Sequence, residues 1–258
     1  AKAIVQIHHG GAQALPELTP DGDVVAPSAI SLKSFGQQKE HDAREMTAEE
    51  IEQTIRDFGE ATRRAIEAGF DGVEIHGANH YLIHQFVSPY YNRRNDVWAD
   101  NYKFPVAVID EVVKAKKAHA NDDFIIGYRL SPEEAESPGI SMEITEELIH
   151  QIANKPLDYI HVSLMDVNSV TREGKYKGEN RLELIHQWIN GRMPLIGIGS
   201  VFTAEDALNA VENIGVEFVA LGREILLDYD FVAKIKEGRE DEIINAFDPN
   251  REDQHYLT

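Results

Sequence analysis

The sequence contains no cysteine. That excludes disulfides and thiolate metal sites, and it fits a cytosolic protein. No apolar run approaches the ~20 residues that a membrane span needs. The start shows no signal-peptide pattern. Positive charge is scarce: 25 Lys and Arg stand against 45 Asp and Glu, a formal charge of −20 over 258 residues. Nucleic acid and anionic membrane are poor partners for such a chain. A phosphate-bearing ligand would have to be met by local positive charge. His8, His9, His76 and His161 form no His-x-His pair and stand near no carboxylate cluster, so no metal centre is expected.

What is present is an apolar framework with polar strand ends. With 42% hydrophobic residues the chain can bury a sizeable core, and its length suits one large α/β domain or two small ones. The organising stretch runs from Gly69 to Asp96. Phe70, Val73 and Ile75 read as a short buried strand, and Glu74, His76, Asn79, His80 and Tyr81 crowd its C-terminal end. Polar groups there are costly unless partnered, and strand ends are where α/β barrels keep their chemistry. The bland reading is a capped loop of satisfied side chains.

Taken in order, the chain alternates strands and helices. Strand one is expected over 4–8, with Ile4, Gln6 and His8 on one face. A polar excursion follows to Met46, with TPDGD as a turn between hairpin strands; so long a connection suggests a lid or cap. Thr47 and Glu50 form a capping box for a helix that Gly69 ends. After the organising strand and a second long loop (88–102), helices and strands alternate. The strands are 124–130, 157–164, 194–199 and 217–221. Helices are capped at Thr145 and at Thr203, run over 181–190, and occupy 230–247; the tail from Pro249 is polar. Alternation of this kind implies parallel strands. Polar or Gly-rich loops after the strands, and Gly-rich turns after the last two, favour a (β/α)₈ barrel over a doubly wound sheet. No GxGxxG follows the first strand. Six strands do not close such a barrel, so two are expected to be missing before Ala1. The expected organisation is one partial barrel domain over 1–258, with long insertions at about 10–46 and 80–103.

VQIHHGG, AGFDGVEIHGANHYLIHQFVSPYYNRRND, GYRLSP, DYIHVS, PLIGIGS and FVALGREILLDYDFVAKI occur in this order. Together they resemble the old yellow enzyme family, flavin oxidoreductases that bind FMN in a TIM barrel. The resemblance implies an enzyme that takes hydride from NADH or NADPH and reduces an activated C=C bond of a small electrophile. It implies that His76 and Asn79 hold the substrate oxygen, where negative charge grows during hydride transfer. Tyr81 would give a proton to the α-carbon. Gln6 would bond the pyrimidine edge of the flavin, and Arg129 would sit beside its N1 and O2. Gly199, Ser200, Gly222 and Arg223 would bind the phosphate, aided by the helix start at Thr203. Asn92, Arg93, Arg94 and Asp96 would order the long loop through ion pairs.

Three positions depart from the family pattern. His80 replaces a common Gly, Ala12 stands where Arg is usual, and the run WADNYK follows NRRND. They alter the expected shape of the substrate mouth. Two other readings stay open: a flavin-free barrel fragment without activity, and a metal-dependent hydrolase on the same barrel. The sequence also leaves open NADH against NADPH and the oligomeric state.

Overall fold

The structure is a computed structural model that describes residues 1–33, 36 and 39–248. Six parallel strands form its main sheet: β1 (Ile4–Ile7), β5 (Gly72–Gly77), β6 (Ile125–Leu130), β7 (Tyr159–Val162), β8 (Leu195–Ile198) and β9 (Phe218–Ala220). Among the described residues the spatial order follows the chain order without reversal. A doubly wound sheet reverses at a switch point, whereas a (β/α)₈ barrel adds each strand beside the last. The described residues supply six such strands, and β1 and β9 are the two edges of the arc.

Helices fill the connections: α1 (Ala48–Glu67), α2 (Leu82–Val87), α3 (Lys103–His119), α4 (Met142–Ile152), α5 (Arg181–Ile189), α6 (Ala204–Asn209), α7 (Arg223–Leu227) and α8 (Phe231–Lys236). Val73, Ile75, Ile126, Tyr128, Leu130, Ile160 and Val162 point outward into one apolar core with Ile51, Phe58, Phe104, Val108 and Ile109 from α1 and α3. The alternate residues point the other way. Parallel register aligns Gln6 with Glu74, Glu74 with Gly127, and Gly127 with Tyr159. One step on, His76 pairs with Arg129 and Arg129 with His161. The inner face is therefore polar while the outer face is hydrocarbon, the period of two that strands impose.

The excursion after β1 is its own small unit. β2 (Val25–Ala26), β3 (Ile30–Leu32) and β4 (His41–Glu45) form a three-stranded sheet in the order β2-β4-β3. Ala12, Val24, Ala26, Ala43 and Tyr91 make its separate core.

Several local expectations change. TPDGD is a turn at Pro20–Gly22, but no hairpin flanks it: a 3-10 turn at Pro16–Leu18 precedes it, and β2 lies parallel to β4. Thr145 does not cap α4; Ser141 holds that place, and the buried Thr145 hydroxyl donates to the Pro132 carbonyl at 2.7 Å. The segment expected to be helical over 230–247 keeps only α8 and a 3-10 turn at Glu240–Glu242. Gly238 adopts φ 69, and the Ile244 amide turns back to Asp228 at 2.9 Å. The polar tail from Pro249 lies outside the described residues. Thr47 and Thr203 do form capping boxes.

Candidate active site

β5 ends in two polar positions that the backbone turns sharply. Asn79 and His80 both adopt left-handed φ, 56 and 59, a conformation costly for side chains with a Cβ. Local bonds offset that cost. The Asn79 amide donates to Ser131 Oγ at 3.0 Å, and the His80 carbonyl accepts from Gln85 Nε2 at 2.5 Å. Gln85 is fully buried, and its Oε1 also accepts from the Ala12 amide at 3.1 Å. One carboxamide thus ties the loop after β1 to the loop after β5.

His76 is buried at the end of β5. Its Nδ1 accepts from the Ala78 amide at 3.2 Å, which places the ring proton on Nε2. Burial, then the Arg129 and His8 charges, lower its pKa to about 4. The ring is a neutral donor. Asn79 Oδ1 accepts from Ser163 Oγ at 3.0 Å and Ser131 Oγ at 3.3 Å. Those two hydroxyls take the acceptor end, and the amide NH₂ is left as the donor. The Tyr81 ring packs edge-on to His76 with centroids 5.1 Å apart, and His8 lies 5.1 Å from Tyr81 and 6.0 Å from His76, so the three rings form a triangle. The structure therefore brings His76 and Tyr81 into contact and ties Asn79 to the same turn.

Beneath them lies a buried carboxylate that sequence reasoning noted but gave no role. Glu74 accepts from Gln6 Nε2 at 2.5 Å, Tyr159 Oη at 3.0 Å and His161 Nδ1 at 2.9 Å. Burial pushes its pKa up, but the bonds from His161, Gln6 and Tyr159 outweigh that, and the net shift is downward. Burial, followed by Glu74 itself, raises the Tyr159 phenol. A signal was present: Glu74 shares the even register of His76 in an otherwise apolar strand.

Arg129 donates from Nη2 to Ser163 Oγ at 3.0 Å. Its Nε and the Nε2 of His161 are buried without a protein partner among the described residues. The orphaned Arg129 donor on an inner barrel floor fits a planar ligand edge bearing acceptor atoms, while His161, whose Nδ1 proton goes to Glu74, presents Nε2 as an acceptor. Gln6, exposed on edge strand β1, lies in the same row as Glu74.

At the far end Ser200 adopts φ 52 and its hydroxyl donates to the Met165 carbonyl at 2.8 Å. Gly199 has φ 127, and a Cβ there would come within 2.5 Å of the Asp166 amide nitrogen. Arg223 stacks its guanidinium over the Phe202 ring at 5.1 Å. Two expected donors are engaged elsewhere. The Gly222 amide donates to Glu224 Oε2 at 2.9 Å. At the start of α6 the Phe202 and Thr203 amides both donate to Asp206 Oδ2. The local fit to an anion rests on Ser200, Gly199 and Arg223.

The NRRND segment works mainly through backbone carbonyls. Asn92 Nδ2 donates to Phe86 and Trp98, and Arg93 Nη2 to Ala29. Arg94, 5% exposed, forks onto Asp96 and donates from Nη1 to both Pro27 and Met46 at 2.7 Å. No helix among the described residues is long and apolar enough to cross a membrane.

Comparison with known proteins bears on the family and the fold. The sequence model described as the NADH:flavin oxidoreductase / NADH oxidase family matches residues 1–242. A probable NADH-dependent flavin oxidoreductase of Bacillus subtilis (strain 168) is 49% identical, over 100% of this chain and 68% of its own length. An NADH:fumarate oxidoreductase of Klebsiella pneumoniae (strain 342) is 41% identical over 94% of this chain, and an NADH:acrylate oxidoreductase of Vibrio harveyi 40% over 88%. This chain spans only 27% and 23% of those two. In fold, morphinone reductase in complex with tetrahydroNAD is similar at a TM-score of 0.74 and 24% identity, covering 96% of this chain and 68% of that one.

Proposed function

The chain belongs to the NADH:flavin oxidoreductase / NADH oxidase family, and from that premise we propose that it takes hydride from NADH or NADPH through FMN and delivers it to the activated C=C bond of a small electrophile. The observation that carries this reading is the donor pair after β5. His76 is neutral with its proton on Nε2, and Asn79 has its acceptor oxygen held by two serines. Two neutral donors suit an oxygen on which negative charge grows in the transition state, worth about 10²–10³ in rate per donor at comparable sites.

FMN, when bound, supplies hydride transfer. The chain's own residues do the rest. Gln6 and Arg129 would hold the isoalloxazine edge, with Arg129 Nε as the unpartnered donor on that floor. Gly199, Ser200 and Arg223 would hold the phosphate. His76 and Asn79 bind and orient the carbonyl oxygen, and Tyr81 gives its phenolic proton to the α-carbon. Glu74 holds Gln6 in place from below.

The Klebsiella and Vibrio relatives are named for fumarate and acrylate. Each has a C=C bond conjugated to a carboxyl group, which supports an electron-poor alkene as acceptor. The charge of −20 speaks against nucleic acid as a partner. The absence of cysteine supports a cytoplasmic location as part of the same proposal.

The test is reconstitution with FMN, anaerobic reduction by each pyridine nucleotide, and reoxidation by an enone such as 2-cyclohexenone. Retained yellow flavin, bleached by NADH or NADPH and restored by enone, is expected. Flavin that is reduced but never reoxidised by an electron-poor alkene would overturn the substrate class.

A further inference from the structure

Sequence inspection gives no metal centre, because it finds no His-x-His pair and no carboxylate cluster beside His8, His9, His76 or His161. The fold gathers them. His80 and His84 stand one turn apart, and Glu134 arrives from the loop between β6 and α4. One ligand atom from each lies within 4.8 Å of the others. His84 and the Glu134 carboxylate are fully buried, and the His80 side chain is 23% exposed.

The carboxylate is divided between two tasks. Its Oε1 accepts from the Ile140 amide at 2.8 Å and from the Ser88 hydroxyl. Its Oε2 faces the two imidazoles, 2.7 Å from His84 Nε2 and 3.6 Å from His80 Nδ1. Oε1 is thus fixed by supporting bonds of the kind that orient metal-binding carboxylates. The imidazole rings lie with centroids 4.6 Å apart. The Tyr91 hydroxyl stands 3.5 Å from His80 Nδ1 and is a fourth candidate ligand atom.

Charge at this point is unbalanced. Glu136 carries a buried Oε2 with no protein partner among the described residues. Arg172 donates to the backbone carbonyl of Glu134 rather than to its carboxylate, and its Nε lies nearest the Glu133 carboxylate at 3.9 Å. One carboxylate and two imidazoles therefore meet, and among the described residues no Lys or Arg pairs with the Glu134 carboxylate. Tetrahedral coordination with bonds of ~2.1 Å sets neighbouring ligand atoms roughly 3.4 Å apart. His80 and Glu134 are already close to that spacing at 3.6 Å, while His84 stands at 2.7 Å from the carboxylate and would have to draw back from it.

We propose that His80, His84 and Glu134 bind a first-row divalent cation of the zinc class, with solvent or Tyr91 completing the shell. Imidazole nitrogen with carboxylate oxygen suits such ions. The cation would lock the turn that carries Asn79 and Tyr81 to the loop after β6. None of the three ligands is a residue assigned above to flavin or to the reaction, so metal binding can be tested without either.

The test uses the full chain, stripped with a chelator and titrated with Zn²⁺ by calorimetry, with metal content measured after dialysis. One zinc per chain is expected. His80→Ala, which leaves the His84–Glu134 bond in place, should weaken binding at least 10²-fold with an unchanged circular dichroism spectrum. Glu134→Gln should do the same if it folds. Absence of stoichiometric zinc, or equal affinity in His80→Ala, would overturn the site and mark any bound zinc as adventitious on other histidines.

Discussion

The Ala78 amide donates to Nδ1 of His76 at 3.2 Å, and that one bond decides which nitrogen of the ring can serve a ligand. It leaves Nε2 protonated. Burial first, then the charges of Arg129 and His8, bring the pKa down to about 4, against 6.5 for an ordinary histidine. Between those values the unfolded chain takes up a proton that the folded chain refuses, so stability falls as pH drops from about 6.5 to about 4. Urea unfolding at pH 7, 5.5 and 4.5 should show this slope. His76→Gln, which cannot titrate, should remove up to one proton of it. An identical slope in both proteins would mean that His76 is not held neutral.

Tyr81→Phe should separate the two half-reactions of the proposed enzyme. Nicotinamide oxidation needs hydride alone and should stay close to normal. Enone reduction needs hydride and a proton and should slow by about 10²-fold or more. Stopped-flow kinetics on each half checks this. Equal slowing of both would make Tyr81 a residue that shapes the site.

Loss of either donor should weaken phenolate binding. His76→Ala and Asn79→Ala each remove a hydrogen bond to a charged oxygen, worth about 1.5–3 kcal/mol, or roughly tenfold to over a hundredfold in Kd. Titration with a simple phenol, followed in the flavin spectrum, measures it. Affinity within a factor of two of the parent would remove that residue from the oxygen site.

Glu74→Gln should destabilise the protein by about 1–3 kcal/mol. Gln6, Tyr159 and His161 all aim donors at the carboxylate, and an amide NH₂ among them would face donor with donor. Denaturant unfolding with an unchanged m-value is the expected signature. A loss below about 0.5 kcal/mol would mean that the cluster rearranges freely.

Thr47→Ala tests the helix that opens the main barrel segment. Thr47 Oγ1 accepts from the Glu50 amide at 3.2 Å, and Glu50 reaches back to the Thr47 amide at 2.8 Å. Removing the cap should cost about 0.5–2 kcal/mol, read from the shift in denaturation midpoint.

The strands were legible because each is a short apolar run with a polar end, and because Gly69, Asn121 and Gly191 mark the turns before them. The capping boxes at Thr47 and Thr203 were legible because they are local. α2 was not: all six of its side chains are buried, so it has no polar face and no helical period. Thr145 misled because its hydroxyl found a carbonyl from the preceding loop. The role of Glu74 was hidden because its partners come from β1 and β7. The His80–His84–Glu134 cluster was hidden for the same reason, since about fifty residues separate Glu134 from the histidines. Gly222 looks like a phosphate donor in sequence, yet Glu224 two residues on takes its amide.

Arg94 has a mechanical consequence. Its guanidinium holds the carbonyls of Pro27 and Met46 together, 19 residues apart in the chain, while gripping Asp96 on the other long loop. The segment between them is thereby stitched shut at its base like a drawstring. One guanidinium thus fastens the two long excursions to each other, so losing it would release both at once.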